Sequence, residues 1–150
     1  MTSTEEFIQQ KEFQSPWHKL RVNLLITSNW LKNEFKEFLD QFEITQQQYN
    51  ILRILRGAKS EPLSTNEICD RMIDKMSDTS RIVDRLVAKN LAEKNPCPND
   101  KRKIQVFISK DGEQLLSSID AEMHALDAKF NHLSDKEAEQ LNDLLEKLRG

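Results

Sequence analysis

A chain of 150 residues with a formal net charge of −3 is long enough to bury one real core and short for two independent ones. Its 37% hydrophobic and 31% charged residues suit long exposed helices, or a fold that completes its core by dimerising, better than a closed globule. Glu5 and Glu6 precede any apolar run, which argues against a secretory leader. No window approaches the roughly 18 consecutive apolar residues of a membrane span, so the sequence predicts a cytoplasmic protein with no membrane partner.

Pro16, Pro62, Pro96 and Pro98 fall between periodic segments rather than inside them, and so mark boundaries. After Ser15-Pro16 the spacing of Leu20, Leu24, Leu31, Phe35 and Phe38 predicts one long amphipathic helix, with Ser15 as N-cap and Pro16 at the first helical position. About 25 residues at 1.5 Å each give a rod of 35 Å or more, beyond what a small monomer needs. Thr45 with Gln48 three residues on opens the next helix, which carries Tyr49, Ile51, Leu52 and Leu55 and ends near Gly57. Ser64 with Glu67 repeats the device and opens a short helix bearing Ile68, Cys69 and Met72.

A brief polar turn follows around Asp74 and Lys75. The segment from Ser77 then places Ile82, Val83, Leu86 and Val87 on one face and Ser77, Asp78, Arg81, Asp84, Arg85 and Lys89 on the other. It stops at Asn90, a residue that tolerates the left-handed position past a helix end. From Leu91 the period becomes two. LAEKNPC, the turn chemistry of Pro98-Asn99-Asp100, and the alternation of Ile104, Val106 and Ile108 against Lys103, Gln105 and Phe107 predict a β-hairpin. Two further helices complete the chain, one from Lys110 through Leu115, Leu116, Ile119, Met123, Leu126 and Phe130, and one from Ser134 with Leu141, Leu144, Leu145 and Leu148.

Charge follows this division. Between Arg71 and Lys103 stand nine basic and five acidic residues, whereas Lys110 to Gly150 carries five basic and ten acidic. A basic middle between acidic helical ends is the mark of a local polyanion-binding module on a scaffold that otherwise repels anions. Helix, polar turn, helix with a polar outer face, then a hairpin with a basic tip is the order of a winged helix-turn-helix. The exposed start of its second helix has to enter a major groove about 12 Å wide and offer hydrogen-bonding groups to base edges. Ser77, Asp78, Thr79, Ser80, Arg81 and Arg85 are the candidates for that contact. The free N–H groups at helix N-termini, including those after Thr45 and Ser64, suit phosphate. Lys101 and Arg102 on the hairpin tip are placed to follow the backbone or enter a minor groove. Asp100 cannot favour a phosphate, and its expected work is to pair with an arginine and hold the tip in shape. The acids Asp78 and Asp84 are better suited to capping or ion pairing than to lying on phosphate.

MSDTSRIVDRLVAKNLAEK followed by PNDKRKIQVFISKDGEQLL resembles the recognition helix and wing of MarR-family regulators, a likeness that extends less sharply over about Pro16 to Leu148. It rests on the Asp-x-Arg element of the wing, here Asp100 and Arg102, and on the Ser-x-x-Gly helix start, here Ser109 to Gly112. The family usually has glycine after the recognition helix, where this chain has Asn90. The resemblance implies a mainly α fold with a small β-hairpin wing, a winged helix-turn-helix with N- and C-terminal dimerisation helices. In that scheme about 16–40 and 110–150 dimerise and about 45–109 form the DNA-binding lobe. It implies a homodimer on double-stranded DNA that regulates transcription, with two recognition helices about one turn apart. It also implies a repressor, in many members released when a small aromatic anion, an oxidant or a metal binds between the dimerisation and DNA-binding parts.

Trp17, Trp30, Phe35 and Tyr49 are candidates to line an effector pocket, although aromatics at helical spacing are more often core. No nucleophile elbow or phosphate-cradling loop is found in a chain of three glycines, so no enzyme is expected. His18, His124 and His132 are scattered without metal spacing, so neither a metal nor a cofactor is expected. Two alternatives stay open: a winged helix that docks a protein instead of DNA, and a redox-sensing regulator using Cys97 or Cys69. Cys69 lies in an apolar stripe and Cys97 at a hairpin edge beside cations.

Overall fold

A computed structural model describes residues 3–9, 12–59, 61–98 and 100–150, with only the backbone at 100–103. The chain divides into two compact units, Met1–Glu43 and Ile44–Gly150.

The first unit holds α1 (Thr4–Phe7), which the sequence reading did not foresee, and α2 (Pro16–Asp40). Helix α2 begins as its sequence dictates. Ser15 is extended at the N-cap, its side chain accepts from the His18 N–H at 3.1 Å, and Pro16 occupies the first turn. The expected apolar stripe is only partly buried. Phe38 and Leu39 are buried at the C-terminal end, while Leu20 and Leu31 are exposed. Phe38 stacks on Phe35 at 6.3 Å between ring centroids and meets Phe42 edge-on at 5.6 Å.

The second unit contains α3 (Gln46–Gly57), α4 (Thr65–Arg71), α5 (Thr79–Ala88), β1 (Ala92–Cys97), β2 (Asp100–Ile108), α6 (Lys110–Asp127), a single 3-10 turn (Ala128–Phe130) and α7 (Asp135–Arg149). Reciprocal capping boxes open three of these helices: Thr45 with Gln48, Ser64 with Glu67, and Ser134 with Glu137. Each satisfies N–H groups that a helix start cannot pair within itself.

The core lies where α3, α4, α5, β2 and α6 meet. Ile51, Leu52, Ile68, Val83, Leu86, Val106, Leu116 and Ile119 are all fully buried there. Fully burying an aliphatic side chain is worth about 1.5–3 kcal/mol, so these residues carry most of the lobe's cohesion.

The hairpin is antiparallel and runs from Ala92 opposite Ile108 to Pro96 opposite Ile104. Its register then shifts, because Cys97 pairs with Asp100. One step on β1 therefore spans four residues on β2, and the backbone of 101–103 is the excess. Leu63, just before α4, adds a bridge to the free side of β2. Its N–H donates to the Val106 carbonyl at 3.1 Å, and the Val106 N–H donates to the Leu63 carbonyl at 2.8 Å. One apolar residue in a loop gave no period from which this bridge could be foreseen.

The join between α5 and α6 explains two features of the sequence. Asn90 takes φ 59°, and the chain closes α5 with paired bonds, Asn90 N–H to the Val87 carbonyl and Leu91 N–H to the Leu86 carbonyl, both at 2.9 Å. That is the helix stop usually given to glycine, made here by the side chain best able to replace it. The Ser109 hydroxyl then donates to the Asn90 carbonyl at 2.6 Å and accepts from the Gly112 N–H at 3.0 Å, tying the start of α6 to the end of α5. Gly112 must be glycine, because a Cβ there would lie 2.2 Å from the Leu91 carbonyl oxygen.

Candidate nucleic-acid interface

Helix α5 has the two faces its sequence predicted. Val83 and Leu86 are buried, Ile82 and Val87 are half-buried, and Ser80, Arg81, Asp84, Arg85 and Lys89 are exposed. Arg81 and Arg85, one turn apart, form no ion pair among the described residues. Two extended cations on one face of a helix, free of carboxylate partners, are available to an outside anion.

The acids on this helix are occupied locally. Asp78 is the N-cap, and its carboxylate accepts from the Arg81 N–H at 3.1 Å. Asp84 forms an ion pair with Lys94 of β1, which ties the outer face of α5 to the hairpin. Ser77 donates its hydroxyl to Asp74 at 2.9 Å, which leaves its lone pairs to accept.

Thr79 departs from expectation. It is only 6% exposed, and its hydroxyl donates to the Ser77 carbonyl at 3.5 Å, so it helps set the helix start and does not face outward. Sequence could not separate Thr79 from Ser80, since both follow the cap and both are polar. Lys101, Arg102 and Asp100 lie on the β2 backbone, but their side chains fall outside the described residues.

A cleft of about 290 Å³ opens between the start of α3 and the outer face of α5, lined by Thr45, Gln48, Ser77, Arg81 and Arg85, with the capping carboxylate of Asp78 also on its wall. A larger one, about 640 Å³, lies among the end of α5, β1 and the start of α6. Neither is lined by Trp30, Phe35 or Tyr49. Trp30 and Phe35 stand on α2 in the first unit, and Tyr49 stands on α3 in the second. Burial raises the Tyr49 hydroxyl above the usual tyrosine range. Arg53 and Arg56 of α3 both donate to Asp120 of α6, at 3.1 and 2.6 Å, and the Arg56 hydrogen bond holds that carboxyl below its usual range against the cost of burial.

Cys69 and Cys97 are free thiols, each half-buried. Among the described residues no group of acids, histidines and cysteines is placed to hold a metal, and no helix is long and apolar enough to cross a membrane.

The sequence pattern that defines the MarR family matches residues 42–103, from the approach to α3 through the hairpin tip. Over that segment the chain is similar to the MarR family. The family is one of transcription regulators, not of enzymes. Similarity continues beyond the matched segment. The HTH-type transcriptional regulator FarR of Neisseria gonorrhoeae is 26% identical over 136 residues, covering 90% of this chain and 92% of that protein. Among solved structures, a mutant MarR from E. coli complexed with operator DNA shares the fold at a TM-score of 0.80 and 23% identity, covering 92% of this chain and 99% of the other. The S. aureus MepR–DNA complex does so at 0.75 and 22%, covering 91% and 97%. The winged helix-turn-helix read from the sequence is thus the fold of these MarR structures.

One feature of this lobe has no counterpart in the sequence pattern. The turn around Asp74 and Lys75 looked merely polar, yet it exposes two large apolar side chains, Ile73 and Met76. Only their spacing on either side of the polar pair hinted at it.

Proposed function

We propose that the protein is a homodimeric, sequence-specific regulator of transcription that binds double-stranded DNA with α5 in the major groove and the hairpin on the flanking backbone. It acts in the cytoplasm as a repressor released by a small aromatic or anionic effector. The observation that carries this reading is the outer face of α5, where Ser77, Ser80, Arg81 and Arg85 stand together with both nearby acids engaged elsewhere. Arginine is the side chain best matched to guanine O6 and N7, and serine serves either base or phosphate. The α3–α5 cleft, with both arginines on its wall, suits a phosphodiester. Lys101 and Arg102 supply the wing contact, with Asp100 orienting the tip. Residues 45–109 form the DNA-binding lobe, and 16–40 with 110–150 form the dimerisation helices. Support for that division comes from the apolar side chains that α2 and α7 leave exposed, among them Leu25, Leu144 and Leu148.

The test is a titration of the purified protein into a fluorescent duplex from upstream of its own coding sequence, at two salt concentrations, beside a scrambled duplex. Binding should prefer the first duplex and weaken steeply with salt, because each neutralised phosphate releases counterions. Arg85→Ala and Arg102→Ala should each weaken it by about tenfold or more. Equal binding to both duplexes, unchanged by either substitution, would overturn the reading in favour of a lobe that docks protein.

A further inference from the structure

Ile73 and Met76 are the most exposed large apolar side chains of the described residues, at 90% and 94%. Single exposed apolar residues are commonplace, but these two stand in one short connection, between α4 and α5, on either side of the exposed pair Asp74 and Lys75. The Ile73 N–H donates to Asn50 Oδ1 of α3 at 3.0 Å. Asp74 accepts from the Met76 N–H at 3.1 Å with one carboxylate oxygen and from the Ser77 hydroxyl at 2.9 Å with the other. The Cys69 thiol reaches the Lys75 carbonyl at 3.8 Å. Hydrogen bonds thus fix the turn while both of its large apolar side chains meet solvent, a placement that burial does not favour.

Position and charge select the occupant. Met76 stands two residues before Asp78, the cap of α5, at the end of the recognition helix that enters a groove. Arg71, Lys75, Arg81 and Arg85 stand around the pair in sequence beside Asp70, Asp74, Asp78 and Asp84; of these acids, Asp74 and Asp78 accept the bonds described above and Asp84 pairs with Lys94. A partner with phosphates at its rim and isolated apolar groups on its floor fits that arrangement. In the major groove the apolar group is the 5-methyl of thymine.

We infer that Met76 and Ile73 pack on thymine 5-methyl groups beside the footprint of α5 and select thymine at those positions. The inference rests on the reading of α5 as the DNA-contacting helix. It adds to the polar readout by Ser80, Arg81 and Arg85 an apolar readout from the turn.

Replacing thymine by deoxyuridine removes one methyl and nothing else. In the upstream duplex, trimmed to the segment the protein protects, each thymine is replaced in turn and binding of the full chain is measured at two salt concentrations. At one or two positions the wild type should lose about fourfold in affinity, the worth of one buried methyl. Met76→Ala or Ile73→Ala should bind the thymine duplex about as weakly as the wild type binds the uracil one, and should be indifferent to the replacement. Their salt dependence and melting temperature should match the wild type, because neither a phosphate contact nor a core contact is lost. Tight, salt-sensitive binding in which no position responds to deoxyuridine, or in which both variants respond as the wild type does, overturns the inference alone and leaves the pair to a protein partner. Absence of preferential duplex binding by the wild type overturns the DNA reading, and this inference with it.

Discussion

Helices α3 and α7 are written in the same sequence grammar and end in different environments. Each opens with a capping box, Thr45 with Gln48 and Ser134 with Glu137, and each carries aliphatic residues at helical spacing. On α3 those residues, Ile51, Leu52 and Leu55, are buried against neighbouring elements. On α7 none is buried, and Leu141, Leu144 and Leu148 face solvent. A helix of 15 residues is marginal in water by itself, so its apolar stripe calls for a partner that the described residues of its own unit do not provide. In the proposed dimer a second copy covers it. The difference teaches that capping and periodicity decide where a helix forms, while the amount of apolar surface around it decides whether it belongs to the monomer's core.

Substitutions on the two sides of this contrast should behave unequally. The largest effect is expected at Leu116, fully buried on α6, where Leu116→Ala should cost about 2–5 kcal/mol and lower the urea midpoint accordingly. Gly112→Ala should come next. Its Cβ would press on backbone rather than on a yielding side chain, and about 1–3 kcal/mol of overpacking should appear as a lower melting temperature.

Asp120→Asn should cost less than about 1 kcal/mol near neutral pH, since the pair it breaks with Arg56 and Arg53 is partly exposed and screened. The direction with pH is fixed. The folded carboxyl lies below its usual 3.8, so its contribution is present above that value and is lost as pH falls through the folded pKa. Wild type and Asp120→Asn should therefore converge in stability on acidification, which denaturant titrations at pH 7 and pH 3 would check. Leu144→Ala should barely move the folding free energy of the monomer, by under about 0.5 kcal/mol. In sedimentation it should weaken self-association. A large loss of monomer stability there would break the contrast between α3 and α7.

Local chemistry made much of this protein legible before any coordinates. Ser15-Pro16, Thr45, Ser64 and Ser134 marked helix starts because a cap needs only a few neighbouring residues, and each caps as expected. Asn90 announced the end of α5, and the alternation ending at Ile108 announced β2. Asp78 and Asp84 took the capping and pairing roles their charge suggested.

What the tertiary structure decided concerns groups that meet from distant parts of the chain or share a pattern with different outcomes. The bridge from Leu63 to Val106, the hold of Asn50 on the turn at Ile73, and the double hold of Arg53 and Arg56 on Asp120 link residues more than 20 positions apart, and no local period encodes them. Thr79 and Ser80 are neighbours of equal polarity, and only the packing of α5 turned one inward and the other out. Trp30, Phe35 and Tyr49 share a chemical type but stand in different units. Sequence determined which segments are helix and strand and which face of α5 is polar, because those depend on short-range hydrogen bonding and periodicity. Folding decided which side chains face solvent, because burial is a property of the assembled surface.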